Sequence, residues 1–213
     1  MAHLNGCVLK EGKAKWGWAN DKGEVFSAGL VRKELQSARL TQYNGQEYKW
    51  NPWAPAKANY FVWRAQDGLI PTRTTLVRQG VQMQDTRCPA CSAAMECSDH
   101  LLVSCGLANH VWTHICLWLR IPMYTSLESV AEVVNYITAA GTSERHKRLM
   151  NLVATTTLWR IWSARNDRVF NNKPIQMEAV FDEVKEITIL WLSMRSKEDC
   201  RAWDLWNSPA ASV

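Results

Sequence analysis

The stretch CPACSAAMECSDHLLVSC, residues 88–105, concentrates metal-binding residue types and decides how this chain folds. It holds four of the chain's seven cysteines and one of its five histidines, in the pattern Cys88-x2-Cys91-x8-His100-x4-Cys105. Two cysteines separated by two residues can point both sulfurs at one ion, and His100 would begin a short helix whose next turn brings Cys105 round. A Cys3His shell is tetrahedral and closed, which is typical of structural zinc. The stretch therefore predicts a zinc knuckle over residues 88–105.

Spacing alone leaves other ligands open. Cys97 and His100 are three residues apart and could lie on one helical turn. His110 and His114 are four apart and could also share a metal, although a solvated helix face is the commoner role for such a pair. Cys97, His110 and His114 therefore stay as possible replacements for a ligand.

Composition and targeting signals place the chain among ordinary globular proteins. At 213 residues, with 47% hydrophobic and 21% charged residues, it can bury a sizeable core. It lacks an apolar run of about 18 residues that would span a membrane, and its first residues lack the apolar core of a secretion signal. We expect an intracellular, reducing location, nucleus or cytoplasm, in which clustered cysteines serve as ligands rather than disulfides.

Hydrophobic periodicity predicts a mainly α fold, namely a helical domain with a small N-terminal β-hairpin and the embedded zinc knuckle. The hairpin is predicted at residues 16–27, around an Asn-Asp-Lys-Gly turn. Helices are predicted at residues 28–40, 57–68, 72–80, 106–122, 126–136, 143–170 and 175–195. Three regions follow: 1–48 with the hairpin and a helix, 49–122 with the zinc-binding domain and its helical lead-in, and 123–213 with further helices.

Three of these helices have informative apolar patterns. The helix predicted at 57–68 should bury one face. The segment 143–170 is apolar on every side, so other helices should surround it. In the last helix we expect one buried face. Its members would be Val180, Phe181, Val184, Ile187 and Trp191.

Charge is distributed unevenly along the chain. Residues 49–87 carry a net +4 and residues 141–173 a net +5, on either side of residues 88–140 at −3. This pattern suits a polyanion, RNA or DNA, held beside the metal site. Because three thiolates on Zn²⁺ add about −1 to an acidic segment, the flanks rather than the knuckle should hold phosphates. The candidates are Lys57, Arg64, Arg73, Arg78 and Arg87, with Trp63 as a candidate stacking residue.

Three motifs in order resemble a known family. They are C88-P-A-C91, E96-C-S-D-H100-L-L-V-S-C105 and A108-x-x-V111-W112, preceded by K57-A-N-Y-F-V-W63-R64 and followed by L158-W-R-I-W162-S-A-R165-N166-D-R-V-F170. Together they resemble the zinc-binding domain at the carboxyl end of plant LINE-type (non-LTR) retrotransposon reverse transcriptases. The resemblance implies Zn²⁺ on Cys88, Cys91, His100 and Cys105. Cys97 stands where the family has threonine or serine, which implies that it lies outside the shell.

The resemblance implies a nucleic-acid-binding module with structural zinc and no catalysis of its own. The chain has no Tyr-x-Asp-Asp polymerase motif and no plausible set of RNase H carboxylates, so we expect a terminal fragment without enzyme activity. A zinc deaminase would need His-x-Glu before Pro-Cys-x-x-Cys, and here the histidine follows. The alternatives are a zinc-organised protein-protein interaction module, whose partner could be the polymerase part of a retroelement protein, and a non-functional retroelement remnant.

Overall fold

The computed structural model describes residues 48–124 and 126–196, together with Gly29. The chain divides into two compact units, Met1–Glu47 and Tyr48–Val213. The hairpin predicted at 16–27 and, apart from Gly29, the helix predicted at 28–40 lie outside the described residues.

The described part of the second unit is mainly helical, which confirms the predicted class. Among its helices, none combines the length and the apolar character that crossing a membrane requires. The elements are α1 (Ala56–Gln66), α2 (Arg73–Arg78), a π-helical turn (His100–Ser104), α3 (Gly106–Leu119), α4 (Val130–Ala139), α5 (Glu144–Phe170) and α6 (Met177–Arg195).

Helix α5 is the centre of this unit. It packs against α1, α4 and α6 and also contacts the π-helical turn. Its buried positions run from Met150 to Arg165 and include three consecutive threonines, of which Thr156 and Thr157 donate their hydroxyl protons to the carbonyls four residues earlier. The prediction that other helices surround this segment is confirmed.

The apolar face of α1 was predicted from helical spacing, and that face is buried. Ala58, Phe61, Val62 and Ala65 point into the core. Phe61 contacts two tryptophans of α5, with ring centroids 5.6 Å from Trp159 and 5.7 Å from Trp162. This contact fixes the helical lead-in on the central helix.

Two helix starts differ from their predictions. Helix α4 begins at Val130 rather than near Ser126, because Ser129 and Glu132 form a capping box in which each side chain accepts from the other residue's backbone N–H. Helix α6 begins at Met177, and its fully buried positions are Val180, Val184 and Thr188. The repeat of four therefore sets its core face. Three residues predicted on that face are only half-buried, namely Phe181, Ile187 and Trp191.

The main hydrophobic core joins α1, the π-helical turn, α3, α4, α5 and α6, and it includes two of the clustered cysteines. Cys88 and Cys105 lie in the same cluster as Trp112 of α3 and Ile137 of α4. Side chains from before and after residue 122 share this core. The predicted boundary between the regions 49–122 and 123–213 stays a prediction. The zinc knuckle is therefore built into the core rather than attached to its surface.

Candidate metal centre

Cys88, Cys91, His100 and Cys105 converge at one point of the structure. Their ligand atoms all lie within 4.8 Å of one another. The Sγ atoms of Cys88 and Cys105 are 3.9 Å apart, and Cys91 Sγ is 3.3 Å from His100 Nε2. Zinc lies about 2.3 Å from a sulfur ligand and about 2.0–2.1 Å from a nitrogen ligand. In a tetrahedral shell, two sulfurs are therefore about 3.8 Å apart, and a sulfur and a nitrogen are about 3.5 Å apart. The donor set and its spacing therefore fit a zinc ion.

The first two ligands come from a tight turn that a short backbone pairing closes. An isolated antiparallel bridge joins Arg87 and Met95, and the Cys88 N–H donates to the carbonyl of Ala94 at 2.7 Å. Within the turn, Ser92 has a positive φ of 57° and donates its N–H to the carbonyl of Cys88. This reversal brings Cys91 back beside Cys88.

The other two ligands come from the π-helical turn. The Cys105 N–H donates to the carbonyl of His100 at 2.7 Å, so residues five apart are one turn apart. In an α-helix, positions five apart would point about 140° away from each other. The wider turn therefore places the imidazole and the thiol on the same side. The predicted short helix at His100 is confirmed, but it is a π-helix.

A buried tryptophan holds this turn in place. Trp112 is fully buried in α3 and donates its Nε1–H to the carbonyl of Leu102 at 2.9 Å. Leu101, Leu102 and Val103 are also buried, so only the ends of the turn reach the metal centre and the surface. Helix α3, which directly follows the predicted knuckle, thus holds the π-helical turn that carries His100 and Cys105.

The two buried thiols, of Cys88 and Cys105, lie within hydrogen-bond distance of each other. A hydrogen bond with Cys105, and then burial, raise the pKa of Cys88 well above its usual range, while the same hydrogen bond lowers the pKa of Cys105. Backbone N–H groups of Ala90 and Cys91 point at the Cys88 sulfur, and that of Leu107 points at the Cys105 sulfur. Such amides stabilise thiolates, so the backbone around both sulfurs suits the negative charge that cation binding requires.

A buried ion pair ties the knuckle to α5. Glu96 is 0% exposed, and both of its carboxylate oxygens accept from Arg165, at 2.6 Å each. Glu96 Oε2 also accepts the backbone N–H of Arg73 at 2.8 Å. The Arg165 guanidinium lies over the Trp162 ring, 5.0 Å from its centroid. The residue that precedes Cys97 is thus held by two different helices.

Helix α2 binds the same loop from the other side. Thr72 caps this helix by accepting the Thr75 N–H, and Thr74 donates its hydroxyl proton to the carbonyl of Glu96 at 2.6 Å. The Arg73 guanidinium donates to the carbonyl of Arg87 at 2.8 Å. These contacts hold both ends of the segment 87–96, from which two of the four converging residues come.

The alternative ligands of the sequence lie elsewhere. Cys97 is exposed, and its sulfur accepts the backbone N–H of His100 at 3.3 Å, so it caps the π-helical turn. The His114 Nδ1–H donates to the carbonyl of His110, and the His114 ring packs against Phe181. His110 Nε2 lies 3.8 Å from a carboxylate oxygen of Glu178. Among the described residues, the converging group consists of Cys88, Cys91, His100 and Cys105.

The predicted phosphate-binding cations lie along α1, α2 and the strand-like segment before the knuckle. Each has an intramolecular partner: Lys57 lies over the Trp159 ring, Arg64 donates to the carbonyl of Leu69, Arg78 donates to Thr75, and Arg73 and Arg87 flank Asp85. The half-buried Trp63, proposed for stacking, packs on the Tyr60 ring at 5.5 Å. Their binding of nucleic acid stays a prediction.

Residues 30–112 match the family described as zinc-binding in reverse transcriptase. The match supports a reverse-transcriptase zinc-binding domain that contains all four converging residues and ends at Trp112, the residue that holds the π-helical turn. Together, the match and the donor set indicate a metal site for which zinc is the fitting ion. No curated protein and no solved structure matches the chain.

The pairing of Glu96 with Arg165 was not predicted from the sequence. Glu96 lies within the matched residues 30–112, whereas Arg165 lies beyond them. A signal existed in α5, where Leu158, Ile161 and Arg165 follow one another at helical spacing. An arginine at a core position predicts a buried acidic partner, since a lone buried charge is too costly. Spacing could not identify that partner as Glu96.

Proposed function

We propose that this chain is a nucleic-acid-binding module of a retrotransposon reverse transcriptase of the plant LINE type, organised by one structural zinc ion and without catalysis of its own. One observation carries the proposal. Three cysteines and one histidine place their ligand atoms within 4.8 Å of one another, inside the segment that matches zinc-binding in reverse transcriptase.

The structural role of the zinc follows from the number and burial of the ligands. Four protein ligands fill a tetrahedral shell, and a full shell has no position for a reacting water. Cys88 and Cys105 are buried, while the loop between Ser92 and Met95 is exposed and too short to fold by burial alone. Metal binding supplies the missing free energy of folding for such segments.

Nucleic-acid binding is assigned to the basic residues beside the zinc rather than to the zinc itself. Arg73, Arg78 and Arg87 keep unused donors, because a guanidinium has five and each spends only one or two inside the protein. The Arg87 side chain is 62% exposed. Such groups neutralise phosphates of RNA or DNA and make the affinity depend on salt.

Metal analysis tests the first half of the proposal. We expect one zinc ion per purified chain and its loss, together with a lower melting temperature, on treatment with a strong chelator. The His100→Ala variant should hold less than one equivalent. A wild-type chain without stoichiometric zinc would contradict the proposal.

Binding to labelled RNA and DNA oligonucleotides tests the second half. For the zinc-loaded chain we expect binding that weakens as salt rises, and a smaller salt dependence in the Arg73→Gln/Arg78→Gln variant. The matched control is Lys173→Gln/Arg195→Gln, which removes the same charge at exposed positions outside α1, α2 and the knuckle. Equal affinities and salt slopes for both variants and the wild type would reject these arginines as contacts.

A second candidate function is a protein-protein interaction module. Large apolar side chains are exposed on several of the described helices, including Leu117 of α3, Phe170 of α5 at 76%, and Leu190 and Met194 one turn apart on α6. Single exposed apolar residues are normal, but neighbouring ones such as Leu190 and Met194 mark a binding surface when they form a contiguous patch. A salt-insensitive complex with a retroelement polymerase domain, lost on Leu190→Ser/Met194→Ser, would favour this function.

A further inference from the structure

A basic cleft lies on the side of α5 where this helix begins. It has a volume of about 320 Å³ and opens to solvent. One wall is the segment before α1, and the other is the first part of α5 with the end of α4. The lining residues used below are Lys49, Trp50, Glu144, Lys147 and Arg148.

The wall before α1 is held rigidly by an asparagine network. Asn59 is buried in α1, and its side chain accepts from the backbone of Asn51 at 2.9 Å and donates to the carbonyls of Asn51 and Ala54. Asn51 in turn donates its amide protons to the carbonyl of Arg148 at 2.8 Å and to Asn151 at 3.0 Å. The two walls are therefore joined at the base of the cleft.

Cations outnumber anions in this cleft. Lys49 and Arg148 are exposed, and Lys147 pairs with Glu144 at 3.1 Å. Three cations against one carboxylate leave a net charge of +2 on the lining. The Arg148 guanidinium also lies 5.3 Å from the centroid of the Trp53 ring, which orients it without using its hydrogen-bond donors on an acid.

An aromatic side chain is presented at the same place. Trp50 is 54% exposed although it is a large apolar residue. Its ring meets the Tyr48 ring edge to face at 5.9 Å, so the indole has a fixed neighbour while much of it stays open to solvent. An exposed aromatic residue beside cations is the combination that single-stranded nucleic acids require, because bases stack on the ring and phosphates pair with the charges.

We propose that this cleft binds one nucleotide of a single strand, with its base on Trp50 and the adjoining phosphates at Lys49, Lys147 and Arg148. This inference rests on the proposed nucleic-acid-binding function. It locates a nucleotide-binding site in a cleft whose lining residues belong neither to α2 nor to the knuckle. The volume is at the small end of ligand clefts, which span about 300–1,000 Å³. Bases in a duplex are already stacked on each other, so the site favours single strands.

The test uses the zinc-loaded full chain and a labelled single strand of about 12 nucleotides, within the range of known single-strand sites. We expect Trp50→Ala to lower the affinity by about 5- to 100-fold, and Trp50→Phe to lower it less, because stacking on an aromatic ring is retained. Lys49→Gln/Arg148→Gln should reduce the salt slope by about 1.4, since each lost phosphate contact of a single strand contributes about 0.7. A duplex of the same sequence should bind more weakly and lose little on Trp50→Ala.

Three outcomes separate the two proposals. If the wild-type chain binds neither strand form, the nucleic-acid-binding function fails and this inference fails with it. If it binds, but the cleft variants bind like the Lys173→Gln/Arg195→Gln control, only the cleft is rejected. If Trp50→Ala weakens single strand and duplex equally, base stacking on Trp50 is rejected.

Discussion

The Glu96 carboxylate and the Arg165 guanidinium form a bidentate ion pair across 69 positions of sequence, and both side chains are almost completely buried. Glu96 immediately precedes the second half of the zinc knuckle, and Arg165 lies in the central helix. The pair is therefore a direct mechanical link between the metal centre and the helical core. It also gives the knuckle a fixed position where the loop itself offers few apolar contacts.

Removing one partner of this pair should destabilise the protein strongly. For Arg165→Met we expect the free energy of unfolding to fall by about 3–5 kcal/mol, because the Glu96 carboxylate is left buried and unpaired. Chemical denaturation of the zinc-loaded chain measures this loss. The control Arg160→Met removes the pair with the half-exposed Glu183 and should cost less, about 1 kcal/mol.

A double substitution separates the charge from the packing. Glu96→Gln/Arg165→Met leaves no buried charge, so it should recover much of the stability that Arg165→Met loses. If the double variant lost as much as the two single variants together, the pair would not be coupled. In that case the effect of Arg165→Met would come from packing alone.

Zinc content of cysteine variants should distinguish the ligands from their neighbour. Cys88→Ser, Cys91→Ser and Cys105→Ser should each lose stoichiometric zinc, because each removes a thiolate from the closed shell. Cys97→Ser should keep one zinc per chain, since a serine oxygen can accept the His100 N–H in place of the exposed sulfur. Metal analysis after exhaustive dialysis measures the difference.

The same measurement extends to the two histidines of α3. His110→Ala/His114→Ala should also keep one zinc, because these rings contact α6 rather than the knuckle. Loss of zinc from this variant or from Cys97→Ser would show that the ligand set differs from the four converging residues.

Local sequence patterns predicted much of this fold and of its site. The buried face of α1 followed from helical periodicity. Short spacings within residues 88–105 predicted a metal site there, and the family resemblance implied Cys88, Cys91, His100 and Cys105 as its ligands. The start of α4 was missed because a capping box between Ser129 and Glu132 decides it, not the apolar pattern. Contacts between distant residues, such as Glu96 with Arg165 or Asn51 with Arg148, have no local signature and needed the structure.

Trp112 should matter for zinc as well as for stability. Trp112→Phe keeps the ring in α3 but removes the hydrogen bond to the carbonyl of Leu102, so we expect a loss of about 1–3 kcal/mol in the free energy of unfolding. Zinc affinity should fall as well, by about 10-fold, the lower end of what loss of an outer partner costs a metal site. Competition with a chelator measures the affinity. Trp63→Phe, at a half-buried position of α1, is the matched change and should leave zinc affinity unaltered.

Gly141 should tolerate no side chain, because α5 begins directly against it. A Cβ atom at this position would lie 2.4 Å from the backbone nitrogen of Lys147 and 2.6 Å from its Cα, and helix backbone cannot yield as a side chain can. We expect Gly141→Ala to lower the free energy of unfolding by about 1–3 kcal/mol through overpacking. Gly106→Ala is the matched control, since a Cβ there meets nothing within 4 Å. Alanine is the better helix former at that start of α3, so this control should be neutral or stabilising by up to about 1 kcal/mol. Equal effects of the two substitutions on thermal unfolding would contradict the close approach of Gly141 to α5.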